Sequence, residues 1–125
     1  MQYTFDYKEA EERYIEVPVS RNTRIVDVRT IQYIEKRRNK CVFHCTDAEI
    51  TCYETLKKIC SKLDQNIFIY VHQGYIVNFD AIKEVKENVV CLGDGVEVPL
   101  SRSHYKEVKN RHMSKIRKLL EERKM

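Results

Sequence analysis

The chain has few of the residues that punctuate or join folded units: three glycines and two prolines in 125 residues leave no Pro/Gly-rich linker. With no internal repeat and no low-complexity tract either, it reads as one domain, long enough to bury a real core. No apolar run approaches the roughly 18–20 residues that cross a bilayer. The opening Met1-Gln2-Tyr3-Thr4-Phe5-Asp6 lacks the basic and apolar regions of a signal peptide, so a cytoplasmic protein without a membrane partner is expected. Cys41, Cys45, Cys52, Cys60 and Cys91 are odd in number and contain no CxxC pair. That argues against a secreted disulfide scaffold and for reduced, mostly buried thiols. HExxH and GxSxG are missing, and Gly93 and Gly95 sit at a hairpin, not in a phosphate-cradling loop between strand and helix. No enzyme and no cofactor are expected.

What the chain does have is unevenly placed charge. The net charge is +4, yet residues 36–40 hold four Lys/Arg and no acid, and residues 101–125 hold nine against three. The rest of the chain is mildly acidic. Two concentrated basic segments on such a body suggest a polyanionic partner.

Most of the chain has the two-residue alternation of strands. Tyr3, Phe5 and Tyr7 form one candidate strand; Ile15, Val17 and Val19 form another, with Pro18 hinting at an edge. Ile25–Val28, Ile31–Ile34, Cys41–Cys45 and Glu49–Tyr53 follow. Leu56, Ile59, Cys60 and Leu63 recur at helical spacing and predict one internal helix ended by Asp64-Gln65-Asn66. Thr51-x-x-Glu54 matches a capping box, which leaves the strand-to-helix boundary open. Then come Ile67–Val71 and Tyr75–Val77, and a meander of Ile82–Val85, Val89–Leu92 and Val96–Leu100. Its last turn is Gly93-Asp94-Gly95, a good hairpin signal. From Ser103 the pattern turns helical, with Tyr105, Val108, His112, Ile116, Leu119 and Leu120 as a stripe. The expected fold class is mainly β, in small antiparallel sheets, with one short internal helix and a C-terminal helix.

Three inter-strand segments carry candidate chemistry. The first is Lys36-Arg37-Arg38-Asn39-Lys40, where four cations in five residues repel one another unless a polyanion relieves them. Lys and Arg contacts to phosphate supply most nucleic-acid affinity. The second is His72-Gln73, polar residues between two apolar strands; a Gln amide matches an adenine edge in the major groove. The third is Ser101-Arg102-Ser103. Arg102 can pair bidentately with guanine O6/N7 or with phosphate, while Ser101 or Ser103 suits a helix cap. Cys41-x-x-His44-Cys45 invites a metal reading, but strand geometry points His44 away from both cysteines. No metal site is expected.

In this order and spacing the motifs resemble the LytTR domain, the DNA-binding half of AlgR/AgrA/LytR-type response regulators. The resemblance spans Ile15 to Ile116. It rests on Ile31-Gln32-Tyr33-Ile34-Glu35 before the basic loop, Tyr53-Glu54-Thr55-Leu56 at a helix start, Val71-His72-Gln73-Gly74-Tyr75-Ile76-Val77-Asn78, Pro99-Leu100-Ser101-Arg102 and Tyr105-Lys106-Glu107-Val108. It implies a β-β-β fold whose loops enter successive major grooves of duplex DNA, with contacts at Asn39/Lys40, His72/Gln73 and Arg102. Together with charge, the implied DNA-binding set is Arg37, Arg38, Asn39, Lys40, His72, Gln73, Ser101 and Arg102. Gly74 stands where the family has Ser, so no recognition sequence is carried over.

The resemblance also implies a cytoplasmic transcription regulator of two-component type, with a homodimer on paired sites; in the family a receiver domain usually precedes this one, and the chain reads either as an output domain excised from such a regulator or as a short stand-alone member. Residues 1–14 are then an N-terminal strand or linker, 15–116 the DNA-binding domain, and 117–125 a basic helical extension. A different class of function stays open: a protein-interaction module using the C-terminal amphipathic helix. A third is a redox-sensing thiol, with Cys41 beside Lys40 as candidate.

Overall fold

The computed structural model describes residues 13–123; the candidate strand at Tyr3, Phe5 and Tyr7 lies outside them. The chain divides into two compact units between Gln65 and Asn66, and each is described by itself.

The first unit opens with an antiparallel hairpin of β1 (Tyr14–Val19) and β2 (Asn22–Asp27). Alternation buries Ile15 and Val17. Pro18 cannot donate to a ladder, and its carbonyl accepts from the Tyr53 amide at 3.1 Å. Val28 was expected to extend β2. It instead begins a single 3-10 turn, Val28–Thr30, because the Asp27 carboxylate accepts from the Arg29 amide at 3.0 Å and turns the chain. The side chains of Arg29, and then Arg13, hold the Asp27 carboxyl below its usual range.

β3 (Ile31–Arg37), β4 (Lys40–Cys45) and β5 (Glu49–Cys52) form an antiparallel run in the order β5-β4-β3. Their registers align Ile34 with Phe43 and Phe43 with Ile50, an apolar row buried across all three strands. The opposite face carries Tyr33, Glu35, Arg37, His44 and Glu49. Thr51 pairs with Val42 in this ladder, so it cannot cap a helix. Thr55 does so, its hydroxyl accepting from the Lys58 amide at 3.2 Å at the start of α1 (Leu56–Ser61). Leu56 and Ile59 face the core, and Leu63 is buried just beyond the helix. The helix thus ends a turn earlier than its apolar spacing suggested.

The second unit begins with the hairpin β6 (Phe68–His72) and β7 (Tyr75–Asn78). The expected meander follows as β8 (Ile82–Val85), β9 (Val89–Leu92) and β10 (Glu97–Pro99), antiparallel in the order β10-β9-β8. Its second turn places Asp94 at φ 61° and Gly95 at φ 76°. Two successive left-handed residues match the twist of paired strands and are tolerated best by Asp-Gly. α2 (Arg102–Arg123) packs on β6 and β8 through Val108 and His112. Beyond His112 no described residue of the helix is buried.

Candidate nucleic-acid interface

The basic hairpin is as tight as strand pairing allows. Arg37 pairs with Lys40, leaving Arg38-Asn39 as a two-residue turn, and Arg38 sits at φ 57°. A left-handed arginine costs roughly 1–2 kcal/mol relative to the right-handed region, so the ladder on either side holds the turn in shape. Arg37, Arg38, Asn39 and Lys40, with Val42 and Thr51, line an open cleft of about 530 Å³.

The four cations do not share one environment. The Arg37 guanidinium lies 2.7 Å from Glu35 and 3.8 Å from Glu49. The pleat explains this, since Glu35 and Arg37 are two apart on one strand face and β5 brings Glu49 to the same face. His44 completes the group: its Nε2 is 2.7 Å from Glu35, its ring stacks on Tyr33 at 4.1 Å, and its Nδ1 faces Glu49 at 3.8 Å. The expectation that only a polyanion relieves this segment is therefore corrected for Arg37. Arg38 has no ion pair among the described residues and is exposed. Lys40 places its ammonium 5.2 Å over the half-exposed ring of Tyr53.

In the second unit two of the predicted segments meet. The Ser101 amide donates to the Val71 carbonyl at 2.9 Å, tying the start of α2 to the strand end just before His72-Gln73. His72 and Tyr75 are register partners, so Gln73 and Gly74 form the turn and the Gln73 side chain is exposed at its tip. His72 is engaged within the hairpin, where its Nδ1 accepts from the Gly74 amide at 3.1 Å and its ring meets Tyr75 edge-on at 5.5 Å. Ser101 likewise spends its hydroxyl on His104 Nδ1 at 2.6 Å. Arg102 is the first residue of α2, exposed and without an ion pair among the described residues. A cation there opposes the helix dipole, an arrangement costing a few tenths of a kcal/mol to about 1 kcal/mol until an anion arrives.

The basic helix is partly committed to its own unit. Arg111 and Lys115 lie 4.9 and 5.2 Å from the Phe79 ring, and Lys115 pairs with Asp80 at 3.1 Å. His112 is buried with Nδ1 unpartnered, and burial followed by the Lys115 charge pushes its pKa down.

The redox reading of Cys41 is overturned. The thiol is 1% exposed, and burial, then the neighbouring Cys52, pushes it up to about 11, away from a reactive thiolate. Sequence reasoning also missed Glu35, Glu49 and Tyr53. The first was visible as a Glu-x-Arg pair on one strand face; the other two depend on the β4–β5 register.

The scaffold and its turns define a class: a mainly β domain that presents cations and amides for a polyanion from rigid turns. The comparisons identify it. The model of the LytTr DNA-binding domain family matches residues 21–113, and the chain belongs to that family. It is 33% identical over 91 residues to the "Sensory transduction protein LytT" of Bacillus subtilis, covering 68% of this chain and 37% of that protein. To the protein of the same name in Bacillus anthracis it is 26% identical over 106 residues, covering 80% and 43%. The chain thus spans about two fifths of these relatives. A solved "LytTr DNA-binding domain of putative methyl-accepting/DNA response regulator from Bacillus cereus" has the same fold. The TM-score is 0.67 at 20% identity, over 81% of this chain and 96% of that one. The family is defined by DNA binding rather than by catalysis. Among the described residues no helix is long and apolar enough to cross a membrane.

Proposed function

We propose that this domain binds duplex DNA sequence-specifically in the major groove and serves as the output domain of a cytoplasmic bacterial transcription regulator, with a receiver as its signalling partner. Arg102 and Gln73 read base edges, Asn39 and Lys40 add contacts from the basic hairpin, and Arg38 holds phosphate. Arg37, His72 and Ser101 shape the turns that carry these groups. The observation that carries the reading is Arg102: exposed, unpaired among the described residues, set against its own helix dipole, and tied through Ser101 to the Gln73 turn. Guanine O6/N7 supplies the two acceptors such a guanidinium lacks. The names of the Bacillus relatives, sensory transduction proteins, support the regulatory role.

A competition experiment tests this. Labelled duplexes bound at moderate salt should be displaced by a small subset of unlabelled sequences and poorly by bulk genomic DNA. Equal displacement by all duplexes would reduce the reading to non-specific polyanion binding.

A further inference from the structure

The network that holds Arg37 contains a titratable group, His44, which the DNA reading leaves unused. On the face opposite the buried row, Glu35 Oε1 meets two donors at once: Arg37 Nη2 at 2.7 Å and His44 Nε2 at 2.7 Å. A carboxylate only accepts, so a neutral imidazole there carries its hydrogen on Nε2 and leaves Nδ1 bare. Nδ1 faces Glu49 Oε2 at 3.8 Å, while Glu49 Oε1 lies 3.8 Å from Arg37 Nη1. Both carboxylates are therefore shared between Arg37 and His44. The Tyr33 ring, 4.1 Å away and within 10° of parallel, fixes the imidazole plane. The charged and titratable groups facing His44 are thus Tyr33, Glu35 and Arg37 from β3 and Glu49 from β5. Lys40, on the same strand as His44, is turned to Tyr53.

Of the two donors, only His44 changes its charge near neutral pH: imidazole ordinarily titrates between about pH 5 and 8, whereas a guanidinium stays charged. A proton on Nδ1 replaces a lone pair facing Glu49 with a donor and sets a positive ring beside Glu35. The Glu49 side chain, 56% exposed, can turn toward that donor and away from Arg37. The carboxylates outnumber the guanidinium while His44 is neutral; with His44 charged, their pull on Arg37 falls. We propose that His44 is a positioning residue for DNA binding: protonated, it takes Glu35 and Glu49 from Arg37 and releases that guanidinium to a DNA phosphate. Arg37 already lines the same cleft as Arg38 and Lys40. At about pH 8 it stays paired and adds no phosphate contact, and at about pH 5.5 it adds one. The phosphate contact rests on the DNA reading; the exchange of partners does not.

Two measurements on the full chain keep these apart. Without DNA, NMR should show rotation of the Arg37 guanidinium speeding up relative to Arg38 as pH falls, with the midpoint of the His44 ring titration. In His44→Gln, whose amide donates to Glu35 as the neutral ring does, Arg37 should stay held at every pH. With a random duplex, lowering the pH from about 8 to about 5.5 should raise the affinity of the wild-type chain about fivefold more than that of His44→Gln, and steepen its salt slope by about one. His72, His104 and His112 titrate in both chains, so the difference isolates His44. In an Arg37→Ala background His44→Gln should change nothing, and circular dichroism checks the fold at each pH. Arg37 rotation indifferent to pH, or changing equally in His44→Gln, would overturn the exchange of partners. Equal gains in affinity for the two chains would overturn its role in DNA binding. No DNA binding at any pH would overturn the DNA reading and that role together, with the exchange decided by the DNA-free measurement.

Discussion

The β3–β4 hairpin and the segment that opens α2 each offer an arginine suited to DNA, and the structure treats the two differently. Arg37, in the denser cluster of charge, is bound to Glu35 and Glu49 on its own sheet face. Arg102 stands alone in a Ser-Arg-Ser sequence, yet it is exposed, unpaired among the described residues and placed where the helix disfavours a cation. On the proposed reading, charge density marks the region that attracts a polyanion, whereas freedom from internal partners marks the residue that reads one. The hairpin contains both kinds, since Arg38 at its tip is unpaired among the described residues while Arg37 at its base, also exposed, is paired.

Breaking the comparison begins with Arg102. Arg102→Ala should cost roughly 1–3 kcal/mol on a preferred duplex and relax selectivity at one position, with little loss on random DNA; titrations on both duplexes measure it. Arg38→Ala should weaken binding to all sequences and lower the salt slope by about one. Arg37→Ala should leave that slope nearly unchanged but lower the melting temperature, because Glu35, 14% exposed, loses one of its two close partners and keeps only His44. Equal slope changes for Arg37 and Arg38 would erase the distinction within the hairpin. In the second turn of the meander, Gly95→Ala should cost about 1 kcal/mol of stability, because φ 76° suits glycine and nothing crowds an added Cβ; thermal unfolding reads it.

The smallest effect is a pH dependence in the second unit. Burial holds the His112 pKa below its ordinary 6.5, so on acidification the unfolded chain takes up the proton first. Its contribution is complete above about pH 6.5 and is lost as pH falls below that value. Melting temperatures through this range should decline on the acid side, and His112→Gln should flatten that part of the profile.

Much of the fold was legible because its signals are local. Ile15 and Val17 mark β1 by alternation, Asp94-Gly95 marks a hairpin by its turn chemistry, and Val108 and His112 mark the packed face of α2 by helical spacing. What was not legible depends on register or on competition between neighbours. Thr51 and Thr55 both precede a helix in sequence; only the pairing of Thr51 with Val42 removes it as the cap. Asp27 turns the chain one residue before the apolar run ends. The site divides in the same way. Its turns stood out as polar breaks between strands, but the partner of Arg37 from β5 and the Ser101–Val71 bond are contacts between segments distant in sequence, which no window along the chain contains.

The central claim, that Arg102 beside the Gln73 turn reads base sequence, is tested most directly by selecting bound duplexes from a random pool at moderate salt, with the wild-type chain and Arg102→Ala in parallel. The account predicts one enriched motif containing an invariant guanine, and loss of preference at that guanine in the variant. No enrichment with the wild-type chain, or the same motif at the same strength with Arg102→Ala, would contradict it.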